Sequence, residues 1–221
     1  PQAGRRREFS QAGIELVGAD TAEADAEVLA VAIDALRSIG IVQFQINLGQ
    51  VAFLRGILSD ETLNDGELGR LERAIHRRNE VELQHTLDDL GIGDKAARAI
   101  RAVPHLCGDE AVLEEARALC TNAASRQAID RLDRVYALLR AEGVADHVIL
   151  DLGKVRGMAY YTGITFHGYV EGLGFALCGG GRYDGLIENF GRSMPAVGFA
   201  LGVERARLAC ESPVEVGGDP Q

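Results

Sequence analysis

The chain has 221 residues, 47% hydrophobic and 25% charged, which is enough apolar material for a packed core. Its 23 basic and 33 acidic side chains give a net charge of −10. That balance argues against a surface that coats nucleic acid, but not against a pocket for a nucleotide or an amino acid. No apolar run approaches the ~18 residues that a membrane-spanning helix needs, so no membrane association is expected. The opening Pro-Gln-Ala-Gly-Arg-Arg-Arg has neither signal-peptide nor transit-peptide character. The chain starts without Met and enters its first informative motif by residue 4, so it reads as a fragment. Cys107, Cys120, Cys178 and Cys210 are spaced by 13, 58 and 32 residues. No metal-ligand spacing appears among them, no metal is expected, and sparse thiols fit a reducing cytoplasm. Most of the five histidines (His76, His85, His105, His147, His167) read as surface or packing residues.

In chain order, residues 5–17 read as a strand. Alternation places Arg5, Arg7, Phe9, Gln11, Gly13 and Glu15 on one face, while Ala12, Ile14 and Leu16 make the other apolar toward its end. The polar face fits a solvated edge strand as readily as a line of functional groups. Asp20-Thr21-Ala22-Glu23 has the order of a capping box. Val28, Ala32, Ala35 and Ile39 then repeat at helical spacing up to Gly40. Residues 41–48 alternate as a half-buried strand, and 50–58 return to helical spacing. From 60 to about 143 the pattern predicts a succession of short amphipathic helices, over 63–78, 80–90, 94–101, 109–120 and 124–141. Gly91, Gly93, Pro104, Gly108 and Gly143 break them. Strand character returns at 147–152 and 157–170. A further stretch, 175–178, leads into Gly179-Gly180-Gly181-Arg182-Tyr183-Asp184-Gly185. Residues 196–203 form another apolar strand, then Glu204-Arg205 opens a terminal helix and 212–221 are a tail. The expectation is an α+β fold, a mostly antiparallel sheet flanked by helices. Its parts are a core over 1–59, a helical insertion over 60–145, the core's second part over 146–211, and the tail.

Three stretches can carry chemistry. The triple glycine lacks the spacing of a dinucleotide or P-loop fingerprint. It permits a close approach either by a ligand or by a neighbouring strand. Arg156, placed before Gly157, suits a carboxylate or phosphate through paired hydrogen bonds. Tyr160 and Tyr161, as neighbours on a strand, would point to opposite faces, so that one lines a pocket and the other packs in the core. Glu204-Arg205 reads either as a cap or surface ion pair, or as an arginine set against a nucleotide.

Four motifs occur in a shared order. Residues 4–15 (GRRREFSQAGIE) resemble the second half of motif 2 of class II aminoacyl-tRNA synthetases, in its histidyl form. Residues 155–166 (VRGMAYYTGITF) resemble the histidine-binding motif of histidyl-tRNA synthetases. Residues 179–186 (GGGRYDGL) resemble the strand and turn that follow it, and 195–205 (PAVGFALGVER) resemble motif 3. Within this superfamily the stretch 44–58 (FQINLGQVAFLRGIL) is similar to the non-aminoacylating paralogues that serve as regulatory subunits of ATP phosphoribosyltransferase. Ser10, Ala159 and His167 stand where the synthetase pattern has a histidine, an aspartate and a glutamate. The chain ends 16 residues after Arg205, too few for an anticodon-binding domain. Both features favour the paralogue over a histidyl-tRNA synthetase catalytic core, which remains the alternative.

The resemblance implies a class II synthetase-like sheet, no catalytic residue and no cofactor. It implies a short-form catalytic subunit as partner, in an enzyme that joins ATP to phosphoribosyl pyrophosphate at the first step of histidine biosynthesis. L-histidine would be the feedback effector, and the subunit would self-dimerise within a cytoplasmic hetero-oligomer that binds no nucleic acid. Carried over by position, Gln11 would hold the α-amino group, Glu15 and Tyr161 the imidazole, and Arg156 the carboxylate. Tyr183 would close the pocket, and Tyr160 belongs to the same set. Arg5 and Arg205 match nucleotide-site arginines.

Overall fold

The computed structural model describes residues 8–155 and 160–211. Its centre is a seven-stranded sheet in the order β1-β7-β6-β5-β2-β4-β3. The strands are β1 (Gln11–Val17), β2 (Gln45–Gln50), β3 (Cys107–Gly108), β4 (Val148–Asp151), β5 (Ile164–Tyr169), β6 (Cys178–Arg182) and β7 (Ala196–Gly202). Every neighbouring pair is antiparallel except β2 and β4, which run parallel. A parallel pair needs a crossover, and here the helical region supplies it. The helices are α1 (Ala22–Ser38), α2 (Val51–Ile57), α3 (Asp65–His76), α4 (Glu80–Leu90), α5 (Asp94–Ala102), α6 (Ala111–Ala118), α7 (Ala123–Ala141) and α8 (Val203–Glu211).

Local chemistry explains the element ends. Thr21, not Asp20, caps α1, with its hydroxyl accepting from Ala24 N–H at 3.2 Å. The expected capping box is therefore shifted by one residue and loses its carboxylate arm. The helix ends at Gly40, whose φ of +86° is open to glycine without strain. Gly40 N–H reaches Arg37 O at 3.0 Å and Ile41 N–H reaches Leu36 O at 3.1 Å, a Schellman closure. That closure draws Ile41 into the turn, so the predicted strand over 41–48 starts only at Gln45. Asn64 and Asn122 form full capping boxes on α3 and α7. Among the described residues, the strand expected over 5–17 is formed over Gln11–Val17 and that expected over 157–170 over Ile164–Tyr169; residues 5–7 and 157–159 lie outside the described residues. Two-residue β3, inside the helical stretch, had no periodic signal.

One face of the sheet is the core. A Cβ built on Gly168 would meet Cys178, Ile46 and Leu36, so these share a face with α1 behind it. Phe166, Ile46, Leu48 and Val197 on this side are fully buried. Where the N-terminus of α1 meets the sheet, the core holds charge. Arg182, 1% exposed, donates to Asp25 at 2.7 Å, to Asp184 at 2.9 Å and to the Ala19 carbonyl at 3.0 Å. Arg131 of α7 reaches the other Asp25 oxygen at 2.8 Å and Asp20 at 2.6 Å. β1 is an edge strand, and its expected apolar face is only partly covered: Leu16 packs on the core while Ile14 is 38% exposed.

Candidate functional site

The opposite face of the same strands is polar at its margins and nearly bare between them. Its residues alternate with those of the core, and its floor carries Gly179 and Gly181 of β6 with Gly198, Ala200 and Gly202 of β7. Added Cβ atoms would meet His167 at Gly179, the Tyr161 ring at Gly181 and the Glu15 carboxylate at Gly198. The missing side chains thus leave a cavity of about 700 Å³, large enough for an amino acid or a nucleotide. Gly180 faces the other way, against Phe166 and Phe199. Gly180 thus serves the close approach of packed neighbours, while Gly179 and Gly181 keep the cavity side of the strand bare.

Gln11 and Glu15 form one bank, projecting from alternate positions of β1. The Tyr183 hydroxyl, just past β6, donates to Glu15, linking the two ends of the bank. Burial first, and then the Glu15 carboxylate, push the Tyr183 phenol above its usual range, so it stays a donor. Tyr161 is likewise pushed up, by burial and then by Tyr160. Tyr160 packs on Tyr161 at 4.8 Å and edge-on against Tyr183 at 5.5 Å between ring centroids. Both adjacent tyrosines line the cavity, against the expectation that one would turn into the core. They lie in the turn before β5, where strand alternation does not apply. That turn is pinned by Thr162, whose N–H donates to Arg182 O at 2.7 Å and whose hydroxyl accepts from Asp184 N–H at 3.0 Å.

The other bank contains His167 of β5 together with Phe175 and Leu177. Burial, then the charges of Lys154 and His76, hold the imidazole neutral, pushed down to about 4. Beside it Lys154 donates to the Tyr169 hydroxyl and lies 4.0 Å from that ring's centroid. Burial pulls Lys154 down to about 8. Arg205 and Glu204 close the end of the cavity but do different work. Arg205 donates to the Ala176 carbonyl at 2.8 Å and lies over Phe175 at 5.4 Å. Glu204 accepts from Ser10 N–H at 3.0 Å.

Six of the expected residues, Gln11, Glu15, Tyr160, Tyr161, Tyr183 and Arg205, thus meet around one cavity. Arg5 and Arg156 lie outside the described residues. The sequence reading missed Phe9, Phe175, Glu204 and Leu208 as lining residues, and it noted His167 only as a departure from a pattern. Phe175 sits in an irregular segment with no periodicity to mark it. His167 was findable from its alternation with Thr165 and Tyr169. Among the described residues, no group of three or more His, Cys, Asp or Glu side chains is placed to hold a metal ion, and no helix is long and apolar enough to cross a membrane.

A largely antiparallel sheet, helices behind it and an amino-acid-sized cavity on its glycine floor define a class II aminoacyl-tRNA synthetase-like core. The chain belongs to the histidyl-tRNA synthetase family, whose model matches residues 1–206. It is 44% identical over 211 residues to an ATP phosphoribosyltransferase regulatory subunit of Thermoanaerobacter sp., covering 96% of this chain and 56% of the relative. A relative of the same description from Geobacter sulfurreducens is 42% identical, covering 97% of this chain and 49% of its own length. A solved structure described as an ATP phosphoribosyltransferase regulatory subunit/histidyl-tRNA synthetase from Bacillus halodurans superposes with a TM-score of 0.85 at 35% identity. That match covers 94% of this chain and 55% of the other. The chain spans about half the length of the curated relatives it matches.

Proposed function

We propose that this chain is the histidine-sensing core of an ATP phosphoribosyltransferase regulatory subunit. It carries out no chemistry itself and works with the short catalytic subunit at the first step of histidine biosynthesis. The observation that carries this reading is the near-complete alignment, at 44% identity, to a relative of that description. The cavity supports the ligand. Glu15 with Tyr183 and Tyr161 offers a carboxylate and phenols to the two N–H positions of an imidazole. Gln11 on the same bank suits the α-amino group, and Arg156 would take the carboxylate. In this reading residues 60–145 are an insertion in the synthetase-like core. The protein self-dimerises inside a cytoplasmic hetero-oligomer, and histidine acts by binding one state of that complex more tightly than another.

The test combines the full-length protein with the short catalytic subunit. The two should co-purify and make phosphoribosyl-ATP, and histidine should suppress the synthesis. Glu15→Gln should raise the histidine concentration needed for suppression at least tenfold while assembly persists. Absence of association would overturn the proposal. Histidine-dependent exchange of pyrophosphate into ATP by this protein alone would instead point to a histidyl-tRNA synthetase.

A further inference from the structure

Asn47 and His167 are directly opposite one another on β2 and β5. Each carries a buried polar atom without a hydrogen-bond partner, Asn47 Oδ1 and His167 Nδ1. Such atoms are rare in folded proteins, and each needs a physical account. The ring's orientation follows from its neighbour on the other side. Gly179 of β6 pairs with His167, and a Cβ built there would lie 3.1 Å from His167 Cδ2 and 3.5 Å from Nε2. The Cδ2–Nε2 edge therefore faces β6 and the cavity floor. Nδ1, on the opposite edge, faces β2 and Asn47. Directly opposed residues hold their Cβ atoms about 4.5–5.5 Å apart, so a small side-chain rotation would bring the two atoms into direct hydrogen-bond contact.

The amide oxygen can only accept, so the proton of the pair sits on Nδ1. Lys154, which acts on this ring more strongly than His76 does, is engaged by the Tyr169 hydroxyl. The ring is neutral, as described above, so Nε2 keeps its lone pair and turns it toward the cavity. We propose that Asn47 is a positioning residue that fixes the Nδ1–H tautomer of His167, making Nε2 an acceptor for an ammonium or amine N–H of the bound ligand. Where the synthetase pattern places a glutamate, this chain then keeps an acceptor and drops the charge. Only the choice of ligand rests on the histidine-sensing reading.

Nitrogen-15 NMR of the full-length protein labelled on histidine tests the tautomer without any ligand. At pH 7 the His167 Nδ1 should resonate as protonated and Nε2 as the bare, pyridine-type nitrogen. Asn47→Leu should shift the population toward Nε2–H. Asn47→Asp, which retains the acceptor and is nearly isosteric, should preserve Nδ1–H and covers the case in which the leucine variant does not fold. An Nε2–H ring in the wild type, or an Nε2–H ring in Asn47→Asp, would overturn the assignment. L-histidine and AMP are then added separately. An upfield movement of Nε2 with histidine identifies an α-ammonium donor, and one with AMP an exocyclic amine. Movement with neither would remove the acceptor role. His167→Leu should weaken the responding ligand about tenfold. Response to AMP with no calorimetric binding of histidine would sink the sensing function and leave the tautomer proposal standing.

Discussion

The two faces of the sheet are built from the same strands, one residue out of phase, and they follow opposite rules. On the core side Ile46, Leu48, Phe166 and Val197 have no exposed surface and interlock with the helices behind. On the cavity side, glycines replace side chains at Gly179, Gly181 and Gly198, and the polar groups are pushed to the banks. Removing volume from the floor makes the cavity. It also leaves Tyr161, Tyr183 and His167 partly desolvated, which is why all three resist the charged form. The main exception to the core face's apolar rule is the charged Arg182–Asp25–Arg131 cluster. That cluster ties β6 to α1 and α7 directly behind the tyrosine turn.

The exception gives the sharpest way to break the comparison. Arg182→Met removes a guanidinium that is almost wholly buried and leaves Asp25, with no exposed surface, short of a partner. Breaking a buried pair from one side costs about 3–5 kcal/mol, and urea denaturation of the variant should show a loss of that size. A loss below about 1 kcal/mol would mean that Arg131 alone satisfies Asp25, and the cluster would then be incidental to stability.

A smaller effect separates the faces by pH. Native His167 is held near 4 against an ordinary 6.5, so between those values the unfolded chain binds a proton that the native ring refuses. Stability is therefore complete above about pH 6.5 and falls as pH drops toward 4, by at most about 3 kcal/mol from this group. The decline should be visible in the urea midpoint of the wild type and shallower in His167→Asn. Parallel profiles for the two proteins would show that the ring titrates normally.

The contrast between the faces also explains what could be read from the sequence. α4 occupies the residues its apolar spacing predicts, Glu80–Leu90, and α7 starts one residue early, because their caps and stripes lie within a few residues of one another. Local information suffices there. The cavity depends on pairings that no local pattern carries. His167 meets Asn47 across β2 and Gly179 across β6, and Glu15 meets Gly198 across β7. From the sequence, the polar positions of β1 are equally consistent with a solvated edge. Their assignment to a ligand pocket rests on motif resemblance, which groups Gln11 and Glu15 with Tyr160, Tyr161 and Tyr183. Strand alternation fails for the Tyr160-Tyr161 pair, because these residues lie in a turn rather than a strand and both line the cavity.

The smallest expected effect tests the glycine floor itself. A methyl group on Gly198 would occupy the place of the Glu15 carboxylate and press on the Ile14 carbonyl at 2.6 Å. The carboxylate can swing away because β1 is an edge strand, but it would then leave Tyr183 and the position proposed for the imidazole. Gly198→Ala should therefore weaken histidine binding by at least tenfold, about 1.4 kcal/mol, in calorimetry on the full-length protein. Gly185→Ala is the matched control, since an added Cβ there meets nothing within 4 Å, and its affinity should equal the wild type. Equal affinities for all three proteins would mean that the bareness of the floor is not what admits the ligand. A loss confined to Gly198→Ala would show that the cavity face is specified by what its strands omit as much as by what they carry.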